Sequence, residues 1–135
     1  MPISVTKTAG GMAHAPVFVG EILNTDTVKV DVSTLTTAEV DTAGYLKPGV
    51  PFLKTGLLVT AGAVYGVTIE SIKVAASNAA ADIAAVLAAG DPFVALGTIG
   101  TVNRDIAEDN LARAYTAAEI AGFDLAGSKL HLTRT

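Results

Sequence analysis

Apolar and polar residues alternate strictly over Thr27-Val28-Lys29-Val30-Asp31-Val32, which places three valines on one face of an extended segment. That is the signature of a half-buried strand. Lys129-Leu130-His131-Leu132-Thr133 repeats the pattern near the end of the chain and predicts another strand. Between Val67 and Val74 the phase slips: Val67 and Ile69 share one parity, Ile72 and Val74 the other. A period of two cannot keep all four on one face, so a bulge or bend is expected near Glu70-Ser71. Phe93 to Val102 carries no polar residue before Thr98. This predicts a central strand buried on both sides.

A helical period replaces the alternation over Ala79–Ala89, where Ala79, Ala80, Ile83, Val86 and Leu87 fall on one face. Asn78 is the expected cap, Gly90 the left-handed stop, and Pro92 lies just beyond. A second helix is expected after Asn103, with Asp105 and Glu108 near its positive end and Asp109–Arg113 as a pair one turn apart. Thr116-Ala117-Ala118-Glu119 reads as a capping box opening a third helical turn, with Gly122 as its stop.

Turn chemistry punctuates the rest. Pro48-Gly49 fits a tight turn in which Pro presets φ and Gly supplies a positive φ. Pro51 cannot donate to a ladder, which assigns its segment to a sheet edge or strand start. Residues 33–44 read as a loop with about one turn, and Leu57–Thr60 and Ala63–Val67 as short apolar runs split by Ala61-Gly62. Residues 1–24 hold few charges and the breakers Gly10-Gly11, Pro16 and Gly20. They read as an extended N-terminal arm on one domain over residues 25–135. The sum is an α+β fold: a small mixed or antiparallel sheet, or a barrel-like core, with two to three short helices.

Composition narrows the function. The chain has 135 residues, 50% hydrophobic but only 5% aromatic and 16% charged, with no Cys and a net charge of −4. Average charged content is about 25%. Such a chain is too apolar for disorder and has no thiolate ligands for zinc or iron–sulfur centres. The nine Lys and Arg are scattered singly and Trp is absent, so neither a basic footprint nor a stacking platform for nucleic acid is expected. No apolar run reaches about 18 residues, so no membrane span is expected, and the start of the sequence carries no basic segment leading into an apolar stretch. The sparse charge suggests that another copy of the chain covers part of the surface.

Candidate chemistry is thin. His14 and His131 belong to no spaced ligand cluster, and His131 between two leucines reads as the outward side of a strand. Gly97-Thr98-Ile99-Gly100 lacks the spacing of a phosphate loop and reads as close backbone approach in a sheet. Asp105, Glu108 and Asp109 form the densest carboxylate group; a metal or acid–base role is conceivable, but helix-dipole and Arg113 partnership account for them. No catalytic residue, cofactor site or metal site is assigned, and the expectation is a protein that is not an enzyme.

Three segments together carry a family resemblance: Tyr45-Leu46-Lys47-Pro48-Gly49-Val50-Pro51-Phe52, Tyr65-Gly66-Val67-Thr68-Ile69-Glu70, and Phe93 through Asn103. Over about residues 40–110 the chain resembles the head decoration (cement) proteins of tailed bacteriophages, of the lambda protein D type. The helical stretch from Arg104 to Gly122 is longer than in the smallest members. The resemblance implies a structural virion protein on the capsid exterior, passing through the host cytoplasm during assembly. It would bind the major capsid protein at local three-fold positions of the expanded head and stabilise it by bridging coat subunits. A homotrimer is implied, with a dimer as in some relatives. Another phage connector or tail component, or a non-catalytic binding module, stays open. Val17, Phe18 and Val19, apolar in the arm, are the candidate partner contacts, through addition of a strand to a neighbour's sheet edge. The arm is expected to order only on the capsid, or else to fold back over its own core.

Overall fold

The computed structural model describes residues 14–134. In chain order the elements are β1 (Phe18–Lys29), a 3-10 turn (Val32–Thr34), β2 (Tyr45–Leu46), β3 (Pro51–Phe52), β4 (Gly66–Thr68), β5 (Ile72–Lys73), α1 (Ala80–Ala89), β6 (Phe93–Asn103), α2 (Arg104–Leu111), α3 (Ala117–Asp124) and β7 (Lys129–Thr133). The fold is α+β, as the periodicities require. The main sheet runs β1-β6-β4-β3, with β7 on β6 beside β4. It is open, ending in β1 and β3, and does not close into a barrel. All pairings in it are antiparallel except β6–β7, which is parallel.

β6 is the spine, as its apolar run predicts. One edge carries β1 from Phe93 to Val102; the other carries β4 at Leu96 and Gly97, then β7 from Ile99 to Asn103. Its faces are less uniformly buried than expected: Val94, Leu96 and Val102 are fully enclosed, but Phe93 is 68% exposed. Val28, Val30 and Val32 all enter the core as the alternation predicts. Pro51 sits in the edge strand β3, where its missing N–H is harmless. The phase slip after Val67 is a change of sheet. β4 belongs to the main sheet and β5 pairs instead with β2, so the residues between them bend the chain from one to the other.

The expected division at residue 24 is corrected: it falls inside β1, which continues through residues 18–29. Residues 1–13 of the expected arm lie outside the described residues. The breakers at Pro16 and Gly20 do not prevent the strand, because β1 accommodates Gly20 at a bulge. Val19 opposes Thr101 and Asn24 opposes Ile99, so β1 advances five residues while β6 advances two. Gly20 takes φ 72° there, a conformation nearly free for glycine. Local periodicity shows only the regular half of β1; long-range pairing with β6 supplies the rest.

Helix ends follow local chemistry in two cases of three. The Asn103 side chain accepts from the N–H groups of Asp105 and Ile106, and Thr116 with Glu119 makes the full capping box. Asn78 does not cap α1. Its Nδ2 donates to the Val40 carbonyl, while Ser77 Oγ accepts from Ala79 N and donates to Asp82. Gly90 ends α1 with φ 103°. Gly122 does not end α3, which runs on to Asp124; it is needed instead for close approach, since a Cβ there would lie 2.8 Å from the Gly62 carbonyl oxygen.

The Pro48-Gly49 turn is tied to three distant parts of the chain. Gly49 has φ 103°, the positive value expected. The Thr68 hydroxyl, fully buried, accepts from Val50 N at 2.9 Å and donates to the Lys47 carbonyl at 2.7 Å. It thus stands inside the turn where a direct carbonyl-to-amide bond would otherwise close it. The Tyr115 hydroxyl donates to the Gly49 carbonyl at 2.7 Å. A Cβ on Gly49 would meet Ala107 Cβ at 2.9 Å and Val17 Cγ1 at 3.1 Å. Gly49→Val therefore combines backbone strain with a clash in the core, and is expected to cost about 2 kcal/mol or more. Urea denaturation checks this; a midpoint unchanged from the parent would refute the account.

Candidate functional site

The residues expected to reach a partner are largely used within the fold. Val17 is 1% exposed and packs in the core beside the Gly49 turn. Phe18 covers the glycine face of β6: a Cβ on Gly97 would lie 2.4 Å from Phe18 Cζ, and one on Gly100 3.2 Å from Phe18 Cδ2. This is the close approach expected of Gly97-Thr98-Ile99-Gly100. Only Val19, half exposed, remains available from the three. Within the chain, one edge of this segment is taken by β6, which opposes Phe18 with Val102. The intramolecular partner needs no loss of translational freedom. Pro48 and Gly49 keep their structural role.

The carboxylate group on α2 is divided among separate tasks. Asp105 meets Arg134 at 2.8 Å, and Glu108 meets Arg104 at 3.0 Å and accepts from Tyr115 N. Burial pushes the Glu108 carboxyl up, but the Tyr115 N–H and Arg104 outweigh it and hold it below its ordinary value. Among the described residues no group of three or more His, Asp or Glu is placed to hold a metal ion.

Arg113 does not pair with Asp109. α2 stops at Leu111 and Ala112 takes φ 54°, a left-handed cap that swings Arg113 off the helix. The guanidinium instead spans two buried carboxylates, Glu39 at 3.0 Å and Glu119 through two parallel bonds of 2.8 and 3.0 Å. Glu39 also takes the Thr36 N–H and hydroxyl, and Glu119 the Thr116 N–H. Both carboxylates are 2% exposed. Their bonds satisfy the oxygens that burial would otherwise leave stranded. Sequence spacing showed the Glu119 capping box but could not show Arg113 crossing to Glu39, 74 positions away.

A cavity of about 500 Å³ is lined by His14, Asp41, Lys47, Asn78, Asp109 and Asn110 among others. It gathers residues from the start of the described chain, the loop before β2 and the end of α2. His14 is partly buried, and its Nε2 has no hydrogen-bond partner among the described residues. Burial and the nearby Lys47 charge lower its pKa, against weaker opposing effects of Asp41 and Asn110. Tyr115, beside the ion network, is pushed up chiefly by burial. The cavity offers both donors and acceptors but no nucleophile–base pair, and it reads as a polar recess.

Two expectations test these sites. Arg113→Met leaves two buried carboxylates facing each other and should cost about 3–5 kcal/mol. The double variant with Glu119→Gln should be less damaged than the sum of the single ones. Additive losses in urea unfolding would refute the network. For His14, the folded pKa lies below the ordinary 6.5. The unfolded chain therefore binds the proton more readily, and stability should fall as pH drops below about 6.5. His14→Gln should flatten that part of the difference; an NMR titration placing His14 at or above 6.5 would overturn it.

Comparison with family models, with curated proteins and with solved structures finds no match, and the chain's own geometry is what bears on its role.

Proposed function

We propose that this chain is a structural capsid decoration protein that binds the major capsid protein on the outside of an expanded phage head and braces neighbouring coat subunits. The observation that supports this reading is where the three resembling segments lie. Tyr45–Phe52 contains β2, the Gly49 turn and β3; Tyr65–Glu70 contains β4; Phe93–Asn103 is β6. β3, β4 and β6 are hydrogen-bonded neighbours, and Thr68 of β4 closes the Gly49 turn. The segments thus lie next to one another in the core. A rigid sheet with sparse surface charge suits a protein whose work is to hold other chains in place.

Undecorated mature heads mixed with the purified protein test the proposal. Saturable cosedimentation, and a solution mass of three chains by light scattering, are the expected results. Heads that stay bare at saturating protein would overturn the reading. A ring of six or more chains would favour a connector or tail component instead.

A further inference from the structure

The chain enters β1 through residues 14–17, and the two ends of that stretch are held in different ways. Val17 is locked: its side chain is 1% exposed in the core, and its carbonyl accepts from Asn103 N at 2.7 Å. His14 and Ala15 are held by one side chain near the end of α2. Asn110 Nδ2 donates to the Ala15 carbonyl at 2.9 Å. Its amide oxygen is left for the His14 imidazole, to which Asn110 is also hydrogen-bonded. Because Nε2 has no partner, that bond uses Nδ1–H, and Nε2 carries the lone pair. Nε2 is enclosed, so a proton added there becomes a buried donor with nothing to accept it. The surrounding charges give no relief. Asp41 and Lys47 face the ring from either side of β2, and the repulsion from Lys47 outweighs the attraction of Asp41. Asp109 lines the same recess from α2, and its remaining lining residues are uncharged.

We propose that His14 and Asn110 form a proton-operated clip: with the imidazole neutral the chain is pinned to α2 from His14 onward, and protonation swings the ring out and moves the anchor to Val17. The inference goes beyond the decoration reading and does not rest on it. Its direction follows from linkage. A released ring takes up a proton with the ordinary pKa of 6.5, and the clipped ring binds it less readily. The open fraction therefore rises as pH falls below about 6.5, and stops rising once the clipped form is protonated as well. The Val17–Asn103 bond joins two backbone groups, which do not titrate, so β1 stays in place. The first fixed point of the strand moves by three residues, which is about 10 Å of extended chain. The recess of about 500 Å³ loses the His14 wall at the same time.

NMR on the full chain between about pH 8 and pH 5 tests this. The His14 ring should titrate with a midpoint below 6.5. Over the same range the Asn110 side-chain amide, corrected for the exchange rate of a free Asn amide at each pH, should lose protection by at least about twofold. The Asn103 backbone amide should keep its protection. Lys47→Met removes the repulsion and should raise the His14 midpoint. His14→Gln, uncharged throughout, should show no acid loss at Asn110. An Asn110 amide that stays protected once His14 is protonated would overturn the clip. So would a His14→Gln chain that loses protection in acid as the parent does. Loss at Asn103 in step with Asn110 would also overturn it, because that marks unfolding of the whole domain rather than release of its entry.

Discussion

The fold turns on how closely the backbone at Gly49 approaches its neighbours. Ala107 of α2 and Val17 at the entry to β1 both lie where a side chain at residue 49 would go. The turn can sit there only because glycine takes φ 103° and carries no Cβ. Two buried hydroxyls then fix it. Thr68 supplies both the donor and the acceptor the turn lacks, and Tyr115 satisfies the Gly49 carbonyl. Four parts of the chain that are remote in sequence are thereby held at one point. Tyr115 also stacks on Phe123 of α3, with ring centroids 5.8 Å apart, so the third helix is drawn to the same point.

The sheet follows a similar rule. β6 uses glycine at positions 97 and 100, and the missing side chains are replaced by one ring, Phe18 from β1. An aromatic laid over strand glycines restores the packing that glycine forfeits. This ties the first half of β1 to the spine in spite of its bulge. It also explains why apolar residues that look available for a partner are consumed by the chain's own core.

Charge is used sparingly and at depth. One guanidinium joins two carboxylates that come from a loop and a helix, and the same carboxylates also accept local turn and cap bonds from Thr36 and Thr116. A buried network of this kind contributes less to net stability than its Coulomb attraction suggests, because desolvation opposes it. What it adds is position: the loop around Glu39 and the start of α3 can meet only in one arrangement.

The sequence by itself determined whatever depends on neighbours a few positions away. The three core valines, the central position of β6, the Asn103 cap, the Thr116–Glu119 capping box and the positive φ at Gly49 were all readable, because period and turn chemistry are local. Tertiary structure alone decided the rest. Arg113 leaves Asp109 for Glu39 and Glu119, since a left-handed residue at 112 redirects it. Asn78 gives up α1 to bind Val40, and Gly122 continues a helix it was expected to end. Val17 and Phe18 enter the core because β6 offers them a partner that no local pattern reveals. In each case a residue had two possible uses, and packing across the chain chose between them.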